Sequence, residues 1–169
     1  SMLLVGISCD KLNDSVTPAT LQDPNSPKGD VRIGITDAPI DDSSVSAAFV
    51  TITEVRFDGK VYDAFKGPKT VNLLALQNGN SLNLGEGKFQ AGSYSKLTLV
   101  LDYEKDQSGN APGCYIQKTD GAKEALVISG NARKEIEINT KKFDVTEGST
   151  TELMVDFDLR KAIKEKNEN

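Results

Sequence analysis

Residues 47–59 read AAFVTITEVRFDG, and this stretch decides the fold class. Aliphatic side chains alternate with aromatic or hydroxyl side chains over residues 48–53. A repeat of two residues is the period of a β-strand and not of a helix. One face of the predicted strand carries Ala48, Val50 and Ile52. The opposite face is predicted to carry Phe49, Thr51, Thr53, Val55 and Phe57. The Asp58-Gly59 pair that follows predicts a tight turn, because glycine tolerates a positive φ angle.

The same alternation recurs on both sides of this strand. It is clearest in DVRIGITD (30–37), GSYSKLTLVLDYE (92–104) and STTELMVDFD (149–158). Turn-forming residues separate such segments about every ten residues, and the one helix candidate is the charged stretch 159–169. Strands with one apolar face need a second sheet to cover that face. We therefore predict a mainly β fold, an antiparallel β-sandwich of about seven to nine strands.

The composition of the 169-residue chain argues against several classes of function. Its net charge of −5 would repel a phosphate backbone, so we expect no nucleic-acid partner. It contains no histidine, which excludes Ser–His–Asp and Cys–His catalysis and disfavours a zinc or copper site. We therefore expect a protein that is not an enzyme and needs no cofactor, with Ca²⁺ left open as an alternative.

The first nine residues look like the end of a bacterial lipoprotein signal. Residues 2–7 are apolar or glycine, Ser8 follows, and polar residues come directly after Cys9. In such signals the cysteine thiol receives a diacylglycerol, whose acyl chains hold a soluble domain at a bilayer. We therefore expect lipid attachment at Cys9 and an exported protein at the bacterial outer membrane or cell surface.

Two features depart from that signal, and they keep a second interpretation open. Gly6 stands where such signals usually have leucine, and no basic segment precedes the apolar run. Residues 3–7 could instead form a short buried strand. Under the lipoprotein interpretation the chain divides into a signal remnant (1–9), a flexible tether (10–28), a β-sandwich domain (29–165) and a polar tail (166–169).

Five segments of the chain resemble a known family. They are GITDAPID (34–41), VTITEVRFDG (50–59), TVNLLALQNGN (70–80), LGEGKFQAGSYSKLTLVLD (84–102) and LMVDFDLRKAI (153–163). Together they are similar to the bacterial domain of unknown function 4382, which opens on a DAP motif and occurs in exported lipoproteins. The resemblance implies an immunoglobulin-like or transthyretin-like Greek-key sandwich, and it implies no known activity.

The DAP motif places an acidic residue where the first predicted strand ends. The carboxylate of Asp37 can accept hydrogen bonds from backbone N–H groups of the turn that follows, so we predict that Asp37 and Pro39 build a structural turn. Alternatively, Asp37 could join Asp41 and Asp42 to ligate a hard cation such as Ca²⁺.

Two further acidic segments also have two interpretations. Asp156 and Asp158 lie two places apart on one predicted strand and share a face, where they could contact a ligand or act together in acid–base chemistry. The loop that begins at Asp102 carries oxygen ligands at alternate places, but it lacks the glycine and the glutamate of a Ca²⁺-binding loop. In both segments the other interpretation is a solvated surface.

The aromatic residues make up 6% of the chain, and most of them are needed to fill a core. Any ring left exposed could stack on a sugar; the rings considered are Tyr62, Phe65, Tyr94, Tyr103 and Tyr115. Tyr62 and Tyr103 are the candidate ligand contacts. Tyr94 is expected at the core edge with its hydroxyl at the rim. Cys114 has no basic neighbour closer than Lys118, which predicts a buried thiol and not a nucleophile.

Three functional interpretations follow. The first is a non-enzymatic envelope lipoprotein that binds a glycan or a protein, as a monomer or weak oligomer held at the membrane by its lipid. The second is an assembly subunit that accepts a strand from a partner, because family members usually have a closing strand beyond the end of this chain. The third, a carboxylate-dependent glycosidase, rests on the aspartate pairs alone.

Overall fold

The computed structural model of the chain describes residues 24–37, 43–126 and 133–157. Within these ranges lie ten strands: β1 (Lys28–Asp37), β2 (Val45–Phe57), β3 (Lys60–Val61), β4 (Lys69–Asn72), β5 (Leu82–Gln90), β6 (Gly92–Asp102), β7 (Tyr115–Lys118), β8 (Lys123–Ala125), β9 (Arg133–Val145) and β10 (Thr150–Phe157). A 3-10 turn, Leu73–Leu76, joins β4 to β5. The strands form two sheets that enclose one core, which confirms the predicted mainly β sandwich.

Several sequence-based expectations fall outside the described residues. These are the signal remnant, the tether up to residue 23 and the charged segment from residue 158 onward. The start of the domain is described, and Lys28 opens β1 one residue before the predicted boundary. No helix in the described part of the chain is long and apolar enough to cross a bilayer.

β2 is the centre of the larger sheet. Phe49 pairs with Tyr115 of β7 and with Asn72 of β4, so these two strands flank β2 on opposite sides. Ile52 likewise pairs with both β4 and β6, which puts β6 and β7 together on one side and β4 on the other. β9 pairs with β6 and β8 pairs with β7, so the sheet extends further on that side.

The smaller sheet has the strand order β10-β1-β5. β1 pairs antiparallel with β5 but parallel with β10, from Asp30 opposite Thr150 to Asp37 opposite Phe157. The predicted antiparallel pairing therefore does not hold for β1 and β10. Just before β10, the Ser149 carbonyl oxygen accepts a 2.8 Å hydrogen bond from the N–H group of Asp30 in β1. β1 and β10 therefore start at the same end of the sheet. Side chains alternate equally in both kinds of pair, and the sequence pattern cannot distinguish them.

A bulge in β2 changes which side chains enter the core. The register with β6 shifts after Ile52, so Thr53 is an extra residue. Val55 and Phe57 consequently face inward, each 0% exposed, on the same side of the sheet as Ile52. The prediction that these two side chains lie on the face opposite Ile52 is wrong, because one inserted residue moves every later side chain to the other face.

The core between the sheets is aliphatic in the middle and aromatic at one end. β1 contributes Val31, Ile33 and Ile35, and β6 contributes Leu97, Leu99 and Leu101, all at most 1% exposed. Five rings cluster with centroid separations of 4.9–6.3 Å: Phe57, Tyr62, Phe89, Tyr94 and Phe143. Buried aromatic pairs in such tilted and edge-on arrangements stabilise a core beyond the area that they bury.

Arg56 is buried although it lies on the outer face of the larger sheet. Its side chain is 8% exposed; Nε donates to Glu54 Oε2 at 2.6 Å, and Nη1 donates to Glu135 Oε1 at 2.7 Å. Glu54 belongs to β2 and Glu135 to β9, so the guanidinium bridges across β6, which lies between them. A buried charge needs such partners, and these ion pairs fasten β9 to the centre of the sheet.

Candidate functional site

The residues of the DAP motif are only partly described. Asp37 ends β1 and is 5% exposed. Pro39, Asp41 and Asp42 lie outside the described residues. Both the structural turn and the Ca²⁺ site therefore stay predictions. Lipid attachment at Cys9 stays a prediction for the same reason.

Tyr62 belongs to the core and is not a ligand contact. Its side chain is 1% exposed, and its hydroxyl donates to the carbonyl oxygen of Val31 at 2.6 Å. Burial raises the pKa of Tyr62 to about 12. A Cβ atom on Gly85 would come within 2.9 Å of the Tyr62 ring, so this glycine of β5 leaves room for it. The expectation that Tyr62 touches a ligand is therefore wrong.

Two other aromatic residues are also occupied by packing. Tyr103 is half-buried and packs against the core, so it does not offer the open ring that a sugar platform needs. Tyr94 is 4% exposed, and its hydroxyl donates to the Gln90 carbonyl oxygen at 2.6 Å. The predicted position of Tyr94 at the core edge agrees with this geometry.

The carboxylates of the loop after β6 are used to fold the loop. Asp102 Oδ1 accepts hydrogen bonds from the N–H groups of Glu104 and Lys105, at 2.9 and 3.2 Å. Asp106 Oδ1 does the same for Ser108 and Asn110, at 2.8 and 2.9 Å. Such side-chain turns account for the acidic residues without a metal ion. Within the described ranges, no group of three or more His, Cys, Asp or Glu side chains could hold a metal.

Of the two C-terminal aspartates, only Asp156 lies in the described residues. It is exposed on β10 and stands opposite Thr36 of β1. Asp158 lies beyond the described end of β10. Their proposed cooperation as an acid–base pair therefore remains a prediction, and Asp156 remains available as a ligand contact.

An aromatic strip lies on the outer face of the larger sheet, where β2, β7 and β8 run side by side. Phe49 and Tyr115 stack with their centroids 4.9 Å apart and their planes 28° from parallel. Lys123 Nζ lies 5.1 Å from the centre of the Tyr115 ring. Both rings are half-buried and Lys123 is exposed. We refer to Phe49, Tyr115 and Lys123 as the aromatic strip.

Strand register explains why these three side chains meet. Phe49 pairs directly with Tyr115, and Tyr115 pairs with Ala125. Gln117 and Lys123 form the next pair on the same face. The strip and the neighbouring Gln117 thus combine two partly exposed, mutually stacked rings with an ammonium group and an amide, and groups of these kinds can contact the apolar face and the hydroxyl groups of a sugar.

Sequence reasoning found only part of this strip. Tyr115 is among the aromatic rings considered from the sequence, and simple alternation puts Phe49 on the face of β2 opposite Ala48, Val50 and Ile52. Sequence reasoning missed Lys123, and it missed the stacking of the two rings. Phe49 and Tyr115 are 66 positions apart, so only the β2–β7 register brings them together. The signal that could have pointed to the strip is a large aromatic residue next to two threonines on the face of β2 opposite Ala48, Val50 and Ile52.

A second exposed feature lies on the outer face of the smaller sheet. Met154 is 62% exposed and lies over Gly34, where an added Cβ atom would stand 3.0 Å from the thioether methyl group. Arg32 lies beside it and donates to Glu152 Oε1 at 2.9 Å and to Glu86 Oε1 at 2.8 Å. The hydrogen bond from Arg32 and its positive charge hold the pKa of Glu86 below its usual value. The shallow groove of about 350 Å³ along this face is called the Met154 groove.

Comparison with known proteins places the chain in one family. Residues 28–169 match the family described as Domain of unknown function (DUF4382). No curated protein matches the chain at a significant level. Among solved structures, the chain is similar to a leucine-rich repeat protein from Bacteroides thetaiotaomicron VPI-5482, with 14% identity and a TM-score of 0.34. That alignment covers 80% of this chain and 14% of that protein. Because the family match spans every strand of both sheets, the chain belongs to the family of domain of unknown function 4382.

Proposed function

We propose that the chain is a non-enzymatic binding module of the bacterial cell envelope, exported and held at the membrane by a lipid on Cys9. The apolar run before Cys9 and the polar tether after it support the anchor. The absence of histidine, together with the structural use of Asp102 and Asp106, supports a role without catalysis. A β-sandwich presents broad sheet faces, which suit binding better than enclosed chemistry.

The aromatic strip carries this proposal, and a glycan is the ligand it suits. The two rings are half-buried on the outer face of the larger sheet and lie outside the core between the sheets, so part of each ring is available to a ligand. Sugar rings have an apolar face that stacks on aromatic side chains, and their hydroxyl groups bind polar neighbours. Lys123 and Gln117 supply those neighbours, and the ammonium group favours acidic sugars.

A glycan array probed with the purified chain tests the proposal, followed by calorimetry on any sugar that binds. The double variant Phe49→Ala/Tyr115→Ala is expected to lose about tenfold or more in affinity, because each stacked ring is worth on the order of 1 kcal/mol. Met154→Ala, on the other sheet, is the matched control and should bind as the wild type does. Equal binding by the double variant would reject the strip as the site.

The anchor has its own test in cells. The wild-type precursor is expected in the membrane fraction and should incorporate labelled fatty acid, whereas Cys9→Ser should do neither. Cys114→Ser is the matched control, since its thiol is buried and should not affect anchoring. A Cys9→Ser protein that remains lipid-labelled and membrane-bound would reject this part of the proposal.

A second candidate function is assembly by strand addition. It is favoured by the position of β10 at the edge of the smaller sheet, where it pairs with β1 alone among the described strands. An edge strand presents backbone N–H and C=O groups that another chain can use.

A further inference from the structure

The outer side of β10 differs from the other sheet edges of the described fold. β10 pairs with β1 over eight consecutive residues without a register shift, so it is long and regular. It contains no proline, glycine or lysine. By contrast, β5 at the opposite edge has a bulge in its register with β1, and it contains Gly85, Gly87 and Lys88. Bulges, prolines, lysines and short strands often block an edge, and β10 has none of these, although its outer face carries the charged side chains of Glu152 and Asp156.

The side chains of β10 on the outer face form a short pattern of charge and apolar surface. Glu152, Met154 and Asp156 alternate along the strand, and all three are exposed. The Glu152 side chain is 70% exposed even though Arg32 pairs with it. Met154 is the exposed large hydrophobic residue in the described part of the chain. The edge therefore presents an acidic–apolar–acidic row beside a backbone that can accept a strand.

A second copy of the chain does not fit this row well. In an antiparallel pair centred on Met154, Glu152 of one copy would stand opposite Asp156 of the other. In a parallel pair, each acidic residue would stand beside its own counterpart. Like charges directly opposite each other are destabilising in a sheet. Charge complementarity instead favours a strand with basic residues two places before and two places after an apolar residue.

We propose that the edge of β10 binds an extended peptide of another protein in which an apolar residue is flanked, at alternate positions, by lysine or arginine. The inference rests on the second candidate function, strand addition, and it names the chemistry of the partner. The apolar residue would pack on Met154, and the basic residues would face Glu152 and Asp156. The intervening side chains would point to the inner side, next to half-buried Leu153.

The test uses the full chain and three synthetic peptides. TKVLVKT carries the proposed pattern, TEVLVET reverses its charges, and TKVPVKT replaces the central residue with proline, which has no backbone N–H. We expect TKVLVKT to bind at low salt and each of the other two to bind about fivefold more weakly or worse. Within residues 152–157, peptide binding should protect from exchange the alternate amide protons that point away from β1.

Variants separate this site from the aromatic strip. Glu152→Lys/Asp156→Lys should reverse the preference between TKVLVKT and TEVLVET, and Met154→Ala should weaken TKVLVKT about threefold or more. Met154→Ala should leave the melting temperature unchanged. Glu152→Lys replaces the anion opposite Arg32 with a cation and should lower the melting temperature slightly, and thermal unfolding of each variant shows that the fold is kept. Tyr115→Ala should bind the peptide normally. If TKVLVKT does not bind the wild-type chain while a sugar still binds, the peptide site is rejected and the proposed sugar site is not.

Three results would overturn the proposal. The first is binding that does not depend on peptide charge or that maps away from β10. The second is a concentration-dependent dimer that Glu152→Lys disrupts, since the edge would then serve a second copy. The third is full exchange protection of residues 152–157 in the free chain, since another part of the same chain would then cover the edge.

Discussion

At the residue scale, the hydroxyl group of Tyr62 connects the two sheets through one buried hydrogen bond. Tyr62 follows the two-residue strand β3, which has little pairing of its own. Its hydrogen bond to the Val31 carbonyl oxygen ties this short segment to β1 of the opposite sheet. The sequence marked Tyr62 as aromatic, but the bond depends on room left by a distant glycine, and no local pattern could reveal it.

We expect Tyr62→Phe to lower the free energy of unfolding by about 1 kcal/mol, because the ring stays and one buried hydrogen bond is lost. Chemical denaturation of both proteins measures the difference. Tyr115→Phe, on the outer sheet face, is the control and should change stability by less than about 0.5 kcal/mol. Equal effects of the two substitutions would contradict the role of the Val31 bond.

Cys114 gives a prediction of pH dependence. Its thiol is 0% exposed, and burial raises its pKa to about 11, above the ordinary thiol value. The unfolded chain therefore releases this proton at lower pH than the folded chain does. The contribution of Cys114 to stability is complete below the unfolded pKa and declines as pH rises toward 11.

Unfolding free energies measured between pH 8 and pH 10.5 test this sign. The wild type is expected to lose stability more steeply over that range than Cys114→Ala, which cannot titrate there. In a Cys9→Ser background, Cys114 should also react with a thiol reagent only after unfolding. Parallel stability curves, or rapid labelling of the folded protein, would contradict the buried state of the thiol.

At the element scale, the bulge at Thr53 decides which half of β2 faces the core. Simple alternation puts Val55 on the same face as Thr53, whereas the bulge puts it on the face of Ile52. The strands, the Asp58-Gly59 turn and the loop after β6 were predictable because they depend on local periodicity and turn chemistry. The bulge and the parallel β1–β10 pair were not, because both depend on pairing with distant strands.

A pair of aspartate substitutions tests the bulge. Val55→Asp should destabilise the protein by about 3 kcal/mol or more, since it places an unpaired carboxylate in the core. Thr53→Asp, on the half-exposed extra residue, should cost about 1 kcal/mol, mainly through its lost hydrogen bond to the Val100 carbonyl oxygen. Thermal unfolding measures the loss of stability in each variant. A larger loss in Thr53→Asp than in Val55→Asp would contradict the observed register.

The ion pairs of Arg56 operate at the same scale, because they join β2 and β9 across β6. We expect Arg56→Ala to destabilise the protein by about 3 kcal/mol, since two partly buried carboxylates lose their cation. The change should release β9 first, which amide exchange along residues 133–145 will report. Arg32→Ala, on an exposed network, is the control and should cost less than about 1 kcal/mol. Similar losses in both variants would contradict the account.

At the scale of the whole molecule, the sandwich separates two surfaces. The aromatic strip lies on the outer face of one sheet, and the Met154 groove lies on the outer face of the other. The core between them uses most of the aromatic residues, so a ring outside the core is informative. The sandwich is predictable from the sequence, but the sequence pattern selects Tyr62 and Tyr103 as ligand contacts and not Tyr115. The strip as a surface depends on the register of β2, β7 and β8. Long-range register is the part that a single sequence does not encode locally.

The most direct test of the binding proposal is an NMR titration with a sugar selected on the array. The account predicts shifts of the Tyr115 and Phe49 ring protons and of the Lys123 amide, with the Met154 methyl resonance unchanged. Saturable shifts confined to other residues, with the two rings unaffected, would contradict it.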